Sequence, residues 1–327
     1  MIDRRRFIAM SSLGLTAIAF PEAAWSQALH KLVRLVVGFP PGGSLDVVAR
    51  LLAEQLKGYA ESVVVENRPG AGGRIALGSL KSSPADGTTI LLTPGDQLSL
   101  FPHIYTSLPY DPQKDFATVS TVCTVQFLLA VGPMVPSSVD TLQSFLSWCR
   151  ANPKLASFGT AGAGTRQHMI GEALSRAAGV ELVHVPYKGA PPAMQDLLAG
   201  QIAANIAVIS TALSQIQTGQ LRGLMTSAPK RSAALPQVPT AREAGFPDLE
   251  AIEAFGLLLP GGTPTAIVEA LNAATQQALV SPALREGLAK LALEPAGSTP
   301  GEYTALIMSD AKKWSGIVRA SGFKPMD

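Results

Sequence analysis

Val33-Arg34-Leu35-Val36-Val37-Gly38-Phe39 runs into Pro40-Pro41-Gly42-Gly43-Ser44-Leu45-Asp46, and beyond Asp46 apolar residues recur at Val47, Val48, Leu51, Leu52 and Leu56. A short apolar run, a Pro/Gly turn and a 3.6-residue apolar rhythm read as strand, turn and helix. Ser44 is placed to cap that helix, and Asp46 in its first turn suits the positive end of the dipole. Working outward, the unit repeats. A strand over Val63–Glu66 leads into Asn67-Arg68-Pro69-Gly70-Ala71-Gly72-Gly73, a short helix to Lys81, the turn Pro84-Ala85-Asp86-Gly87 and a strand over Thr89–Thr93. This alternation predicts an α/β architecture with mainly parallel sheets.

The apolar run Val119–Val131 is long enough to pass from one lobe to another. After it the order returns. A helix spans Leu142–Arg150, and Phe158 enters the Gly-rich loop Thr160-Ala161-Gly162-Ala163-Gly164-Thr165. A helix over Arg166–Ala178 is ended by Gly179, and a strand covers Val180–Val185. A helix over Pro192–Ala199 stops at Gly200, and strands follow at Ile202–Ile209, Leu221–Ser227 and Ala254–Leu259. Helices at Pro264–Val280 and Pro282–Leu291 come next, then a last helix opened by Thr299-Pro300-Gly301-Glu302, a capping box. The 327 residues suit about two lobes, and no low-complexity linker separates them. Crossings fall near 124–130 and 250–255. Lobe 1 is then 29–127 with 253–327, and lobe 2 is 128–252.

Arg4-Arg5-Arg6-Phe7 precedes an apolar stretch from Ile8 to Phe20, and Ser26-Gln27-Ala28 is a small-residue cleavage site. Residues 1–28 therefore read as a secretory signal of the twin-arginine type, shorter in its apolar part than the ~20 residues of a membrane span. The expected location is the periplasm. Hydrophobic residues make up 47% and charged residues 15%, enough to give each lobe a core, and a formal charge of +2 argues against nucleic acid. Cys123 and Cys149 are free to pair or to stay as buried thiols. With His30, His103, His168 and His184 scattered, no zinc-ligand spacing occurs, and neither a metal nor a cofactor is expected.

Three loops share one grammar of strand end, Gly-rich turn and helix start: Phe39–Ser44, Asn67–Gly73 and Thr160–Thr165. Helix starts beyond strand ends offer unpaired N–H groups, and glycine lets backbone approach a ligand, so anions are favoured and carboxylates are natural candidates. Hydrogen bonds to a charged group contribute about 1.5–3 kcal/mol each. Four to six would give roughly 6–18 kcal/mol gross, against the ~8 kcal/mol of micromolar affinity. Neither Gly-rich loop completes G-x-G-x-x-G, and no P-loop, G-x-S-x-G elbow or H-E-x-x-H helix is present, so no enzyme constellation stands out. His168 reads as a helix-capping or packing residue. Arg166 is placed either to pair with a second carboxylate of a ligand or to lie solvated at the surface.

Six segments in order carry a resemblance. They are Val36-Val37-Gly38-Phe39-Pro40-Pro41-Gly42-Gly43 with Asp46, Val65 through Gly73, and Leu108-Pro109-Tyr110-Asp111-Pro112. The others are His184-Val185-Pro186-Tyr187-Lys188-Gly189, Lys230 through Thr240, and Glu243-Ala244-Gly245. Across the mature chain the sequence resembles the periplasmic substrate-binding proteins of tripartite tricarboxylate transporters, the TctC or Bug family. The resemblance implies a type II periplasmic-binding fold, two α/β lobes joined by two crossing strands with a ligand cleft between. It implies a small carboxylate held by main-chain groups and waters, no covalent chemistry, and delivery to membrane transporter subunits. A ligand sensor presenting its closed state to a signalling receptor is the alternative, and a monomer is the default. By resemblance, Phe39, Pro41, Gly42 and Gly43 line the cleft from one lobe, and Thr160, Gly162, Ala163, Gly164 and Thr165 from the other. Thr93 and Asp96 lie past the third strand. Three departures matter. Ala207 and Val208 stand where an acid and an Asn are usual, which disfavours an amino-acid ligand. Ala254 replaces an aromatic and widens the pocket. Arg166 replaces a small residue and favours a dicarboxylate or an aromatic acid.

Overall fold

The computed structural model describes residues 30–321 together with 323, 325 and 326. The signal-like segment lies outside the described residues. β1 (Val33–Val37), α1 (Ser44–Ala53), β2 (Val63–Asn67), α2 (Arg74–Lys81), β3 (Thr89–Pro94), and the single turns α3 (Asp96–Ser99) and α4 (Phe101–Ile104) lead into the long β4 (Phe116–Val131). Then come α5 (Leu142–Ala151), β5 (Ser157–Thr160), α6 (Arg166–Ala178), β6 (Val183–Pro186), α7 (Ala190–Leu198), β7 (Ala204–Val208), α8 (Ile209–Gln217) and β8 (Arg222–Thr226). The chain closes with β9 (Ile252–Pro260), α9 (Thr265–Val280), α10 (Pro282–Lys290), the short β10 (Glu294–Pro295) and α11 (Pro300–Ser321).

These elements make two lobes. In the first, β1 pairs in parallel with β2 and β3, and β9 runs antiparallel between β3 and the Phe116–Gln126 part of β4. In the second, β5 pairs in parallel with β6 and β7, while the Phe127–Val131 part of β4 runs antiparallel to β7 and β8. β4 changes sheets between Gln126 and Phe127, and the chain returns through Ala251, whose N–H donates to the Ser227 carbonyl at 2.8 Å, into β9. The expected mainly parallel sheets are therefore mixed. The strands carrying the chain between lobes run against their neighbours; only the local strand–helix–strand units are parallel.

One apolar cluster passes from Val33 and Leu52 through Val125, Phe127 and Leu129 of β4 to Phe145 and Leu174 of the second lobe. α11 is docked on β9 by Tyr303, which is fully buried. A Cβ at Gly256 would sit 2.3 Å from the Tyr303 ring, so this contact requires glycine. The last helix opens as its sequence predicts. Glu302 accepts from the Thr299 N–H at 2.8 Å, and Thr299 Oγ1 accepts from the Glu302 N–H at 3.2 Å.

Three local readings change. The residue capping α1 is Gly43, and Ser44 is its first helical residue, with its hydroxyl directed at Ser210 across the cleft. The apolar run from Ile202 is strand only to Val208, and α8 begins at the next residue. α7 starts at Ala190, two residues before Pro192, after Gly189 at φ 112. Cys123 and Cys149 are both unpaired and buried. Burial pushes the Cys149 thiol up to about 12 and that of Cys123 higher still.

Candidate ligand cleft

A cavity of about 50 Å³ lies between the lobes, room for a few waters and well under the ~300–1,000 Å³ of small-molecule sites. Phe39, Pro40, Gly43, Ser44 and Leu45 bound it from the first lobe. Ala161, Thr165, Gln167, Ala190, Pro191, Asn205, Ala207, Val208 and Thr211 bound it from the second, and Pro94, Asp96, Glu253 and Phe255 complete the wall. The starts of α1, α6, α7 and α8 all touch this space. The starts of α1 and α8 carry backbone N–H groups that lack intrahelical partners, whereas Pro191 and Pro192 remove two such donors from α7 and Asp96 takes the first of α6.

The α1 loop is held from below. Gly42 adopts φ 83, and its N–H donates to Asp46 Oδ2 at 2.9 Å. Asp46 also accepts from Arg50 Nη2 and Asn67 Nδ2, each at 2.9 Å, and Asn67 Nδ2 lies 3.0 Å from the Phe39 carbonyl. Burial pushes the Asp46 carboxyl up, but the bonds from Arg50, Gly42 and Asn67 outweigh it and hold the group below its ordinary range. Loops one and two are thus a single braced unit.

The α6 start is already engaged by an anion of the protein itself. Asp96 Oδ2 accepts the Arg166 N–H at 3.0 Å, and the Asp96 N–H donates to Glu253 Oε1 at 3.0 Å. Both carboxyls are pushed up by burial. Glu253, beside the Asp96 charge, stands well above the ordinary carboxylate range, and the Arg166 charge limits the rise of both.

Arg166 is the clearest correction. Its side chain is buried, with Nη2 3.0 Å from Asp310 Oδ2, Nε 3.7 Å from Glu253 Oε1 and Nη1 donating to the Ile252 carbonyl at 3.3 Å. Its guanidinium stands 5.1 Å from the Trp314 ring. It neither lines the cleft nor lies solvated; Asp310 and Glu253 of the other lobe hold its side chain inside, while Asp96 takes its backbone N–H. Further contacts tie the lobes together. Ser44 Oγ is 2.5 Å from Ser210 Oγ and 3.0 Å from Thr211 Oγ1, and Tyr105 Oη donates to the Ala163 carbonyl at 3.0 Å.

Of the expected residues, the structure brings Phe39, Gly43, Asp96 and Thr165 to the cavity wall. Pro41 and Gly42 are exposed, because α1 starts later than the turn and presents Gly43 to Leu45 instead. Thr93 is buried against Gln97. Thr160 Oγ1 donates to the Gly162 carbonyl at 3.0 Å and lies 2.7 Å from His184 Nε2, so it shapes the loop from behind. Gly162 and Ala163 line a neighbouring recess with Gly72, Gly73 and Lys188. Gly164 donates its N–H to His168 Nδ1 at 3.1 Å. His168 stacks on His184 at 3.7 Å between ring centroids; burial lowers them to about 4 and about 3, so both rings are neutral.

Ala207 and Val208 do line the cavity, but Asp96 and Glu253 supply the acidic groups that these positions lack. Ala254 does not line it: Glu253 and Phe255 do, and strand alternation turns the residue between them away. The sequence reading also missed Asn205, Glu253 and Thr211. Asn205 is 1% exposed, and among the described residues neither its Oδ1 nor its Nδ2 has a hydrogen-bond partner. An orphaned buried polar group costs ~1–3 kcal/mol, so this amide is a strained part of the wall. A lone Asn and a lone Glu inside apolar runs were the available signals.

A profile of the tripartite tricarboxylate transporter family receptor matches residues 48–323. Protein BugT of Bordetella pertussis (strain Tohama I) is 36% identical over 318 residues, covering 95% of both chains. Among solved structures, R. palustris Rpa4515 with adipate has a TM-score of 0.86 at 31% identity, covering 90% of this chain and 99% of that one. MatC (Rpa3494) from Rhodopseudomonas palustris with bound malate has a TM-score of 0.81 at 30% identity, covering 88% and 99%. With this match over most of its length and two lobes enclosing a cleft, the chain belongs to the tripartite tricarboxylate transporter receptor family of solute-binding proteins.

Proposed function

We propose that the protein is a periplasmic receptor that captures a small carboxylate by closing its lobes and delivers it to a tripartite tricarboxylate-type transporter. The cavity between the lobes carries this reading, because helix starts from both sides meet there. The adipate and malate in the two related structures fit the same chemistry. In this reading Phe39, Gly43 and Thr165 touch the ligand directly. The amides of Ser44 and Leu45 at the α1 start take its carboxylate, since Asp96 already serves α6. Pro41, Gly42, Thr160, Gly162, Ala163 and Gly164 shape the two loops. The lobes run 29–127 with 253–327, and 128–252, and bend about the crossings at Gln126–Phe127 and Ala251–Ile252. Export follows the twin-arginine pattern of residues 4–7, and among the described residues no helix is long and apolar enough to cross a membrane. The receptor acts as a monomer and performs no catalysis.

Native mass spectrometry of protein purified without added ligand, followed by calorimetric titration with a carboxylate panel, tests the proposal. A co-purified small acid, or binding at micromolar concentration with a decrease in radius of gyration by X-ray scattering, is the expected result. No response to any acid overturns the carboxylate reading, and binding with unchanged dimensions overturns closure.

A further inference from the structure

Asn205 is the second residue of β7, at 1% exposure, in a strand otherwise made of Ala, Ile and Val. Both atoms of its carboxamide are without a partner among the described residues, and the residue lines the interlobe cavity. A carboxamide offers two donors and an acceptor. The group that satisfies it must therefore accept and donate. A carboxylate only accepts, and would leave Oδ1 facing negative charge. The rest of the wall also disfavours a second anion. The ionisable side chains lining the cavity are Asp96 and Glu253, both acids, and the nearby guanidinium of Arg166 is held inside by Asp310 and Glu253.

We propose that Asn205 determines ligand specificity by binding a neutral donor–acceptor group, a hydroxyl or a carboxamide, at the end of the ligand away from its carboxylate. The preferred ligand is then a hydroxy acid or an amide-bearing monocarboxylate, and a linear dicarboxylate binds more weakly. This inference rests on the carboxylate-receptor reading and adds the identity of the second functional group.

The test uses four acids of one chain length: pentanoate, omega-hydroxypentanoate, glutaramate and glutarate. Each is titrated calorimetrically into the full mature protein and into Asn205→Leu, with Asn205→Ala as a second variant should the first fold poorly. Wild-type protein is expected to prefer glutaramate or omega-hydroxypentanoate over both pentanoate and glutarate by about tenfold or more, the scale of one buried hydrogen-bonded pair. Either variant is expected to erase that preference and bind pentanoate at least as well as wild type. An unchanged preference in the variants overturns the proposal, as does a wild-type preference for glutarate or pentanoate. If no acid binds, the carboxylate reading fails separately, and pentanamide and pentanol are titrated next. Binding of either that Asn205→Leu removes supports the subsite; binding that persists in the variant, or no binding, overturns it.

Discussion

The Arg166 guanidinium lies against Asp310 and the buried Glu253 of the other lobe, with Asp96 on its backbone N–H, and removing the side chain takes the positive charge from beside these acids. Breaking a buried pair from one side costs ~3–5 kcal/mol, so Arg166→Met is expected to lower the urea-unfolding midpoint sharply. Arg166→Lys should recover only part, since an ammonium cannot span Asp310, Glu253 and the Ile252 carbonyl together. The stacked His168 and His184 give a pH signature. Their folded values of about 4 and about 3 lie below the ~6.5 of a free imidazole. Above pH ~6.5 both states are neutral; as pH falls toward about 4, the unfolded chain binds protons first and stability is lost. The loss is roughly 3 kcal/mol for His168 alone. Urea midpoints measured from pH 7 to 4 should fall more steeply for wild type than for the His168→Gln, His184→Gln double variant. At this scale little was legible in the sequence. The Arg166–Asp310 contact joins residues 144 apart in sequence, and the Asp96–Arg166 contact joins residues 70 apart. No local pattern announces pairs at that range. A basic residue beside a Gly-rich loop therefore looked ligand-facing when it is internal.

Local strand–turn–helix units were legible, because periodicity and Pro/Gly punctuation are local properties. β1 to β3 and α6 with its Gly179 terminator, at φ 60, lie where the pattern puts them. α8 was not legible: β7 passes into it with no intervening residue, so one apolar run serves both elements. The antiparallel crossings were hidden too, since direction within a sheet depends on partners far along the chain. The packing of β9 against α11 can be tested directly. Gly256→Ala places a methyl 2.3 Å from the Tyr303 ring, which is fully buried and flanked by the sheet. The expected cost is ~1–3 kcal/mol, read as a lower thermal midpoint. A Gly256→Ala, Tyr303→Leu double variant should be less destabilised than the sum of the singles.

The lobes touch through Ser44 with Ser210 and Thr211, and through Tyr105 with Ala163. Removing the Tyr105 hydroxyl, as Tyr105→Phe, is expected to weaken a bound acid two- to tenfold, about 0.5–1.5 kcal/mol, by calorimetry, with the unfolding midpoint nearly unchanged. A larger radius of gyration for the ligand-free variant than for ligand-free wild type would accompany it. β4 has a different consequence. Its 16 residues form one strand paired into both sheets, with register shifts near Val119, Val122 and Leu129, and a single apolar cluster follows it across. Neither half can melt while the other keeps its edge intact. Calorimetric scanning should therefore record one transition with equal van't Hoff and calorimetric enthalpies. A fragment ending within β4 should be insoluble on expression, each half missing a strand that only the whole chain supplies.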